Sequence, residues 1–365
     1  MRRKLAPALR RHLHAVVLAG GSGQRFWPRS RRQRPKPLLR ALSGRSLLSA
    51  TLERAEHFAA PDSIWLVCAR DHARPMRKEA GLPARRVIVE PRGRNTAMAV
   101  AVAATRIVAE DPEAILAVLP ADHVIPDSAA FTAAMDRAAR AAAEAEVLVT
   151  LGVRPRHAET GYGYIRVGKP APGHRGLHRV SRFVEKPDAA RARRYVRDGR
   201  HLWNAGIFVW QARTLLEEIE RHAPRVHRAL APVRRAPRGR GAAAALEAAY
   251  RRAPALPVDV AVLERSRRVW TLPVRFHWND VGTWDSLARE LGVGSGESRI
   301  VDGSAILEDA GGNLVWGDGR LVVLLGVEDL AVIDTPDALL VARLDRSPEV
   351  KRIVERLRRE QPKRV

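Results

Sequence analysis

Gly20, Gly21 and Gly23 directly follow the apolar run Ala15–Ala19, and Arg25 and Lys36 come after them in a stretch crowded with cations. Glycines let backbone N–H groups gather around an anion in a concave nest that a Cβ would obstruct. A guanidinium then brackets two phosphate oxygens, while an ammonium acts as a movable point charge. The chemistry is phosphate binding. A Walker A loop is excluded because Gly23 is followed by Gln24-Arg25, and a dinucleotide fingerprint because Phe26 stands where its third glycine belongs. The plainer alternative is a strand-to-helix turn with solvated arginines.

Two carboxylates carry a second signal. Asp122 follows Leu119-Pro120-Ala121 at a strand end, and Asp280 lies in Trp278-Asn279-Asp280-Val281-Gly282-Thr283-Trp284, each among apolar neighbours. A carboxylate there is costly unless it meets a cation, and two of them suggest one Mg²⁺, which takes oxygen ligands from protein and phosphate together. For Asp280 the alternative is the N-cap of a helix starting near Thr283. His123 lacks a second histidine at metal-ligand spacing and reads as a hydrogen-bonding neighbour of Asp122. Glu185-Lys186-Pro187 reads as an ion pair at a strand end, facing either solvent or a cleft, with Pro187 stopping the ladder. The single cysteine, Cys68, lies in the apolar run Ile64–Ala69 and reads as a buried structural thiol in a reducing compartment, the cytoplasm.

The elements that must position these residues follow from periodicity. Strands are predicted at Ala15–Ala19, Ile64–Ala69, Val87–Val89, Ile115–Leu119 and Val147–Leu151, with helices at Ser46–Phe58, Ala97–Val108 and Ala129–Ala143 between them. Strand-helix alternation implies a mostly parallel sheet covered on both faces, with ligands beyond the carboxyl ends of its strands, where the glycine loop and Asp122 fall. From about 152 to 290 the pattern is strand-rich (Tyr164–Val167, Val180–Glu185, Ile207–Trp210), with Ala229–Pro257 reading as helix and surface loop without chemistry. Beyond about 295, short strands at Ser304–Leu307, Asn313–Trp316, Leu321–Gly326, Leu330–Asp334 and Leu339–Ala342 precede a helix at Glu349–Arg359. The division expected is a frayed basic arm over 1–13, an α/β domain over 14–292 and a small C-terminal β domain with closing helix over 293–365.

Composition narrows the class. A chain of 365 residues with 46% hydrophobic content can bury a large core. No apolar run reaches the roughly 18 residues of a membrane span, so no membrane partner is expected. The net charge of +24 raises nucleic acid as a partner, but the charge is spread over nearly every helical segment without a zinc-finger, basic-zipper or RNA-binding signature. Specific nucleic-acid binding is therefore not expected.

The segments LAGGSGQRFWPRS with PKP, EPRGRNTA, LPADH, TGYGYI, FVEKP, WNAGIF and WNDVGTWDSL occur in this order over roughly residues 14 to 290, and in that order they resemble the mannose-1-phosphate guanylyltransferase family. The tail is similar too, in GNLVW, LLGVEDLAVIDTPDALLVA and PEVKRIVERL. The resemblance implies a Rossmann-like nucleotide-diphospho-sugar transferase α/β fold, with a short left-handed β-helix as the candidate form of the C-terminal domain. It implies GMP transfer from GTP to mannose 1-phosphate, with Mg²⁺ on Asp122 and Asp280 and with Arg25, Lys36 and Lys186 as further catalytic cations. Gly20, Gly21, Gly23, Arg25, Asn95 and Thr96 match nucleotide-binding positions, and Glu90-Pro91 belongs to the same base-pocket segment. Thr96 also reads as the N-cap of the helix after it. Gly163, Glu185, Lys186 and Asn204 match the sugar-phosphate positions. There Glu185 would accept from a sugar hydroxyl, Asn204 would both donate and accept, and Gly163 would let the backbone approach the sugar. Departures from the family pattern are Phe26 and Arg29 where leucine is found, Pro37 for glutamine, Met98 for proline and Ala205 for serine. None removes a charge or a metal ligand. A homodimer is the candidate assembly. The rival expectations are transfer to another sugar 1-phosphate or from another nucleotide, and a non-catalytic basic nucleic-acid-associated protein on this fold.

Overall fold

Alternation of side chains across a strand explains why the first strands are apolar on both faces. In β1 (Leu13–Ala19), Ala15, Val17 and Ala19 enter one core, with the helices Leu47–Glu56 and Ser128–Ala145. Val16 points the other way, to the core shared with the helices Asn95–Val108 and Ala212–His222. The computed structural model describes residues 5–365 apart from Ser22, Ser43 and Ser295. Ser22 of the glycine loop and the first four residues of the basic arm therefore lie outside the described residues.

Parallel pairing joins β1 to β2 (Ile64–Ala69) and β4 (Ile115–Pro120), and β2 to β3 (Val87–Glu90). The remaining strands of the nine-stranded sheet are β5 (Leu148–Val153), β6 (Tyr164–Pro170), β7 (His178–Val184), β8 (His201–Gln211) and β9 (Val269–Val274), in the order β3-β2-β1-β4-β8-β5-β9-β7-β6. Here β5–β9 is parallel, but β8 runs antiparallel to β4, β5 and β6, and β7 to β6 and β9. The sheet is thus parallel where helices cross over and mixed where the β6–β7 hairpin, which needs no crossover, enters it.

Two expectations are corrected. From residue 5 onward the basic arm is docked: Leu5 is buried, Pro7–Arg10 form a helical turn, and His12 and His14 both bond Asp111, at 2.8 and 3.0 Å. Ala229–Pro257 does hold helices, Ala231–Arg235 and Ala242–Arg252, and an exposed loop at 238–241, but it is more than surface, since Leu230, Val233, Leu246, Ala249 and Tyr250 are buried in the second core.

A four-stranded sheet follows: β10 (Arg299–Glu308), β11 (Leu314–Leu325), β12 (Leu330–Thr335) and β13 (Ala338–Arg343), parallel except for β12–β13. The two strands expected at 313–316 and 321–326 are the two halves of β11, joined by a bulge: Trp316 pairs with Asp302 and Leu321 with Ser304, so Gly317–Arg320 stand opposite Gly303 alone, with Gly319 at φ +91°. This sheet and the closing helix Val350–Glu360 pack onto the segment after the glycine loop. Phe26 lies 4.7 Å from Trp284, whose ring meets Trp316 edge-on at 6.0 Å. The buried Arg29 covers Trp316 at 4.9 Å and bonds the Gly317 carbonyl. Two departures from the family pattern, Phe26 and Arg29, are therefore packing residues of this joint.

Candidate active site

Beyond the carboxyl ends of β1 and β4 lies a cavity of about 410 Å³, walled by Gly20, Gly21, Glu90, Asn95 and Thr96 and by Gly163, Glu185, Asn204, Asp259 and Asp280. Gly23 turns the chain at φ +60°, and a Cβ there would collide with the Lys36 Cβ. Glycine at this turn thus lets Lys36 come close beneath the loop. At Gly21 a Cβ would meet nothing, so its backbone faces open space.

Lys36 is buried, and its Nζ donates to Asp122 Oδ2 at 2.7 Å and to the Asp280 carbonyl at 2.6 Å. One ammonium thereby joins the two carboxylate residues, which lie 158 positions apart by number (280 − 122). Burial pushes the Asp122 carboxyl up, but Lys36 and His123 outweigh it and hold its pKa below the ordinary value. Asp280 Oδ1 accepts from the Tyr162 hydroxyl at 2.5 Å. Burial beside Asp280 raises the Tyr162 pKa, so the phenol keeps the proton it donates. Asp280 is not a helix cap: Thr283 caps the helix Trp284–Glu290, in a capping box with Ser286. Val281, next to Asp280, holds φ +44°, a strained conformation for a β-branched residue, as strain concentrates at functional sites.

His123 does not bond Asp122 through any hydrogen bond among the described residues. Its Nδ1 accepts from Trp278 Nε1 at 3.2 Å, so the ring carries its proton on Nε2. Burial lowers its pKa to about 4 and keeps it neutral. Arg54, absent from the sequence-based set, is buried beneath this loop and donates to the His123 carbonyl at 3.0 Å; burial lowers its pKa to about 10.

On the wall by the glycine loop, Glu90 is buried, and a Cβ on Gly20 would lie 3.0 Å from its Oε2. Burial raises its pKa to about 7, against the opposing hydrogen bond from Tyr250, whose hydroxyl donates to Oε1 at 2.9 Å. Thr96 does not cap the helix it was expected to start. That helix begins at Asn95, and the Thr96 hydroxyl accepts from the Val258 N–H at 2.9 Å.

Across the cavity, a Cβ on Gly163 would lie 2.6 Å from Glu185 Oε2 and 3.3 Å from the Asn204 Cβ, so a larger residue there would push the Glu185 carboxylate aside. Lys186 is exposed and pairs with Glu185 Oε1. Asn204 Oδ1 accepts from the Thr150 hydroxyl at 2.8 Å and the Gly206 N–H at 3.2 Å, while Nδ2 donates to Asp259 Oδ1 at 2.9 Å. Burial, with the Glu185 charge added, raises the Asp259 carboxyl to about 7. Asp259 was missed because one aspartate in Pro257-Val258-Asp259-Val260 carries no motif signal.

The structure therefore gathers Gly20, Gly21, Gly23, Lys36, Asn95, Thr96, Asp122, Gly163, Glu185, Lys186, Asn204 and Asp280 in or beside one cavity. Arg25 is exposed outside the cavity wall, without a hydrogen bond among the described residues. Cys68 is buried away from it, its thiol pushed up to about 12 by burial.

The chain is similar to known proteins over most of its length. The family described as Nucleotidyl transferase matches residues 14–291, and the MannoseP isomerase/GMP-like beta-helix domain matches 303–357. The alginate biosynthesis protein AlgA of Pseudomonas aeruginosa is 37% identical over 346 residues, covering 94% of this chain and 71% of AlgA. The mannose-1-phosphate guanylyltransferase of Escherichia coli K12 is 36% identical over 358 residues, covering 95% of this chain and 73% of that enzyme. A Thermus thermophilus crystal structure, described as a mannose-1-phosphate geranyltransferase, superposes with TM-score 0.86 at 37% identity, covering 95% of this chain and 99% of that one. Among the described residues no helix is long and apolar enough to cross a membrane.

Proposed function

The chain belongs to the nucleotidyl transferase family, and from that premise we propose that it transfers GMP from GTP to mannose 1-phosphate, releasing pyrophosphate. The observation that carries this reading is Lys36 bonded between Asp122 and Asp280 beside a cavity that begins at the glycine loop. The choice of sugar follows the E. coli relative named for mannose 1-phosphate.

The sugar phosphate is already anionic near neutral pH, so its oxygen attacks the α-phosphorus without a general base. The catalytic problem is to bring two polyanions into line. In this reading the backbone of Gly20, Gly21 and Gly23 receives the nucleotide phosphates with Arg25, which is free to close over them. Lys36 is held by the Asp122 carboxylate and the Asp280 backbone carbonyl and answers charge developing at the transferred phosphoryl group. Lys186 and Glu185 take the sugar phosphate and a sugar hydroxyl, with Asn204 beside them. Asn95 and Thr96 line the nucleotide side. Glu90 reads the base: a buried carboxylate accepts from the N1–H and N2–H₂ of guanine, adjacent donors that uracil, thymine, cytosine and adenine do not present together.

The donor set fits a hard divalent cation, and Mg²⁺ is our assignment. Asp122 and Asp280 supply carboxylate oxygens, Lys36 engages only one oxygen of Asp122, and Tyr162 only one of Asp280. Bound there, Mg²⁺ would neutralise phosphate oxygens and the leaving pyrophosphate. We place the reaction in the cytoplasm, without a nucleic-acid or membrane partner. The assembly we propose is a homodimer, supported by the large exposed apolar side chains among the described residues, all of which fall between Ile300 and Ile353. Sedimentation at micromolar concentration decides it, and a monomer there rejects it.

The deciding experiment measures pyrophosphate release across the four nucleoside triphosphates with mannose and glucose 1-phosphates. GTP with mannose 1-phosphate is expected to be fastest. Equal or better rates with dTTP and glucose 1-phosphate reject the substrate assignment, and a salt-dependent shift of DNA without turnover supports the non-catalytic rival instead.

A further inference from the structure

A hexose brings hydroxyls that each donate one proton, and those protons need acceptors on the cavity wall. Asn204 was expected to be one of them, but its atoms are allocated otherwise. Both lone pairs of Oδ1 are filled, by the Thr150 hydroxyl at 2.8 Å and the Gly206 N–H at 3.2 Å. Nδ2 spends one hydrogen on Asp259 Oδ1 at 2.9 Å. Asn204 therefore keeps a donor hydrogen for a ligand and no acceptor.

Asp259 lines the same cavity and accepts from no other side chain among the described residues. It begins the π-helical turn Asp259–Leu263, a rare local form frequently found at functional sites. The turn is fixed from outside: the Val258 N–H donates to Thr96 Oγ1 at 2.9 Å, and the Ala97 N–H to the Leu256 carbonyl at 3.0 Å. Glu185, the other carboxylate of this wall, has Oε1 on Lys186, leaving Oε2 beside Gly163. Two carboxylates pre-set in this way, on different elements, suit a ligand that offers several hydroxyl donors at once.

We infer that Asp259 is a specificity-determining residue of the sugar 1-phosphate subsite, accepting a hydrogen bond from a hexose hydroxyl other than the one taken by Glu185, with Asn204 holding its carboxylate in place. This rests on the proposed sugar nucleotidyl transfer and deepens it, because it names the group that reads the acceptor.

The test pairs a protein change with a substrate change. kcat/KM for GTP with mannose 1-phosphate and with its 2-, 3-, 4- and 6-deoxy analogues is measured for wild type, Asp259→Asn and Asp259→Ala, together with KM for GTP and the melting temperature. In wild type at pH 8, one deoxy analogue is expected to lose about ten- to a hundredfold, the worth of a hydrogen bond to a charged acceptor. In Asp259→Ala, which has no acceptor, that analogue loses no more than about twofold relative to mannose 1-phosphate. In Asp259→Asn, which keeps a neutral acceptor, the loss is smaller than in wild type, and in both variants KM for GTP changes by less than about threefold. The near-isosteric Asn variant guards against misfolding, which its melting temperature reports. Active wild type, with every analogue losing the same factor in wild type and variants, overturns the assignment of Asp259 and leaves the parent reading intact. Wild type that turns over no hexose 1-phosphate overturns both.

Discussion

Asp280→Asn separates the metal-site reading from a structural one, because this structure predicts a large effect on turnover and a small one on stability. Asparagine keeps the side-chain shape and an oxygen to accept from the Tyr162 hydroxyl, now 2.5 Å from Oδ1, and the Lys36 bond goes to the backbone carbonyl, which the substitution does not remove. The helix after it is capped by Thr283 and Ser286, so no cap is lost. What changes is the acceptor charge at Tyr162, about 1 kcal/mol, a drop of roughly 1–2 °C in melting temperature for a chain of 365 residues. In the proposed reading, catalysis loses one of two anionic metal ligands. Removing a group that acts on transition-state charge costs on the order of 10²–10³ in kcat, about 3–4 kcal/mol. The assay is pyrophosphate release against Mg²⁺ concentration, with Mn²⁺ binding followed by electron paramagnetic resonance and the melting curve as independent readouts. Near wild-type turnover at limiting Mg²⁺, with unchanged Mn²⁺ binding, removes Asp280 from the metal site. Collapse of the melting curve makes it a structural residue.

Glu90→Gln should raise KM for GTP at least tenfold and change the pH dependence of stability. The folded pKa of about 7 lies above the ordinary 4.5, so the folded protein binds the proton more tightly, and wild-type stability falls as pH rises from 4.5 to 7, by on the order of 3 kcal/mol. The Gln variant should therefore melt above wild type at pH 8 and lose that advantage by pH 4.5; an equal gap at both pH values contradicts the buried carboxylate. Arg29→Ala should lower the urea midpoint by the equivalent of about 1–3 kcal/mol, since it strips a buried charged donor from the Gly317 carbonyl and the cover from Trp316; an unchanged midpoint denies the joint between the two sheets. Cys68 should react with a thiol reagent only on unfolding, because burial pushes its pKa up to about 12; rapid labelling of the folded protein at pH 8 contradicts this placement.

Local pattern made the first half of the large sheet legible. Ile64–Ala69 is a strand with the bounds that its apolar run suggests, since both faces of a parallel strand are buried and the run must be continuous. The glycine loop, Asp122 and Asp280 were also legible, because each is embedded in a distinctive neighbourhood. Partners far apart in the chain were not. Tyr250 meets Glu90 across 160 positions and Asp259 meets Asn204 across 55, so neither stretch carries its own signal, and Ala229–Pro257 read as helix and surface loop without chemistry. Thr96 and Asp280 show the same limit from the other side. Each stands where a helix cap is plausible by residue type, yet the cap belongs elsewhere, and long-range partners decide what each side chain does. The docked arm depends on Asp111, about a hundred positions away, which gives His12 and His14 a shared acceptor.

The central claim is that an oxygen of mannose 1-phosphate attacks the α-phosphorus of GTP in this cavity. Mannose 1-phosphate carrying ¹⁸O in its three non-bridging phosphate oxygens tests it directly, with both products weighed by mass spectrometry. GDP-mannose should retain all three labels, one of them in the new P–O–P bridge, and the pyrophosphate should carry none. Label in the pyrophosphate, or release of pyrophosphate without a labelled GDP-sugar, would contradict the account.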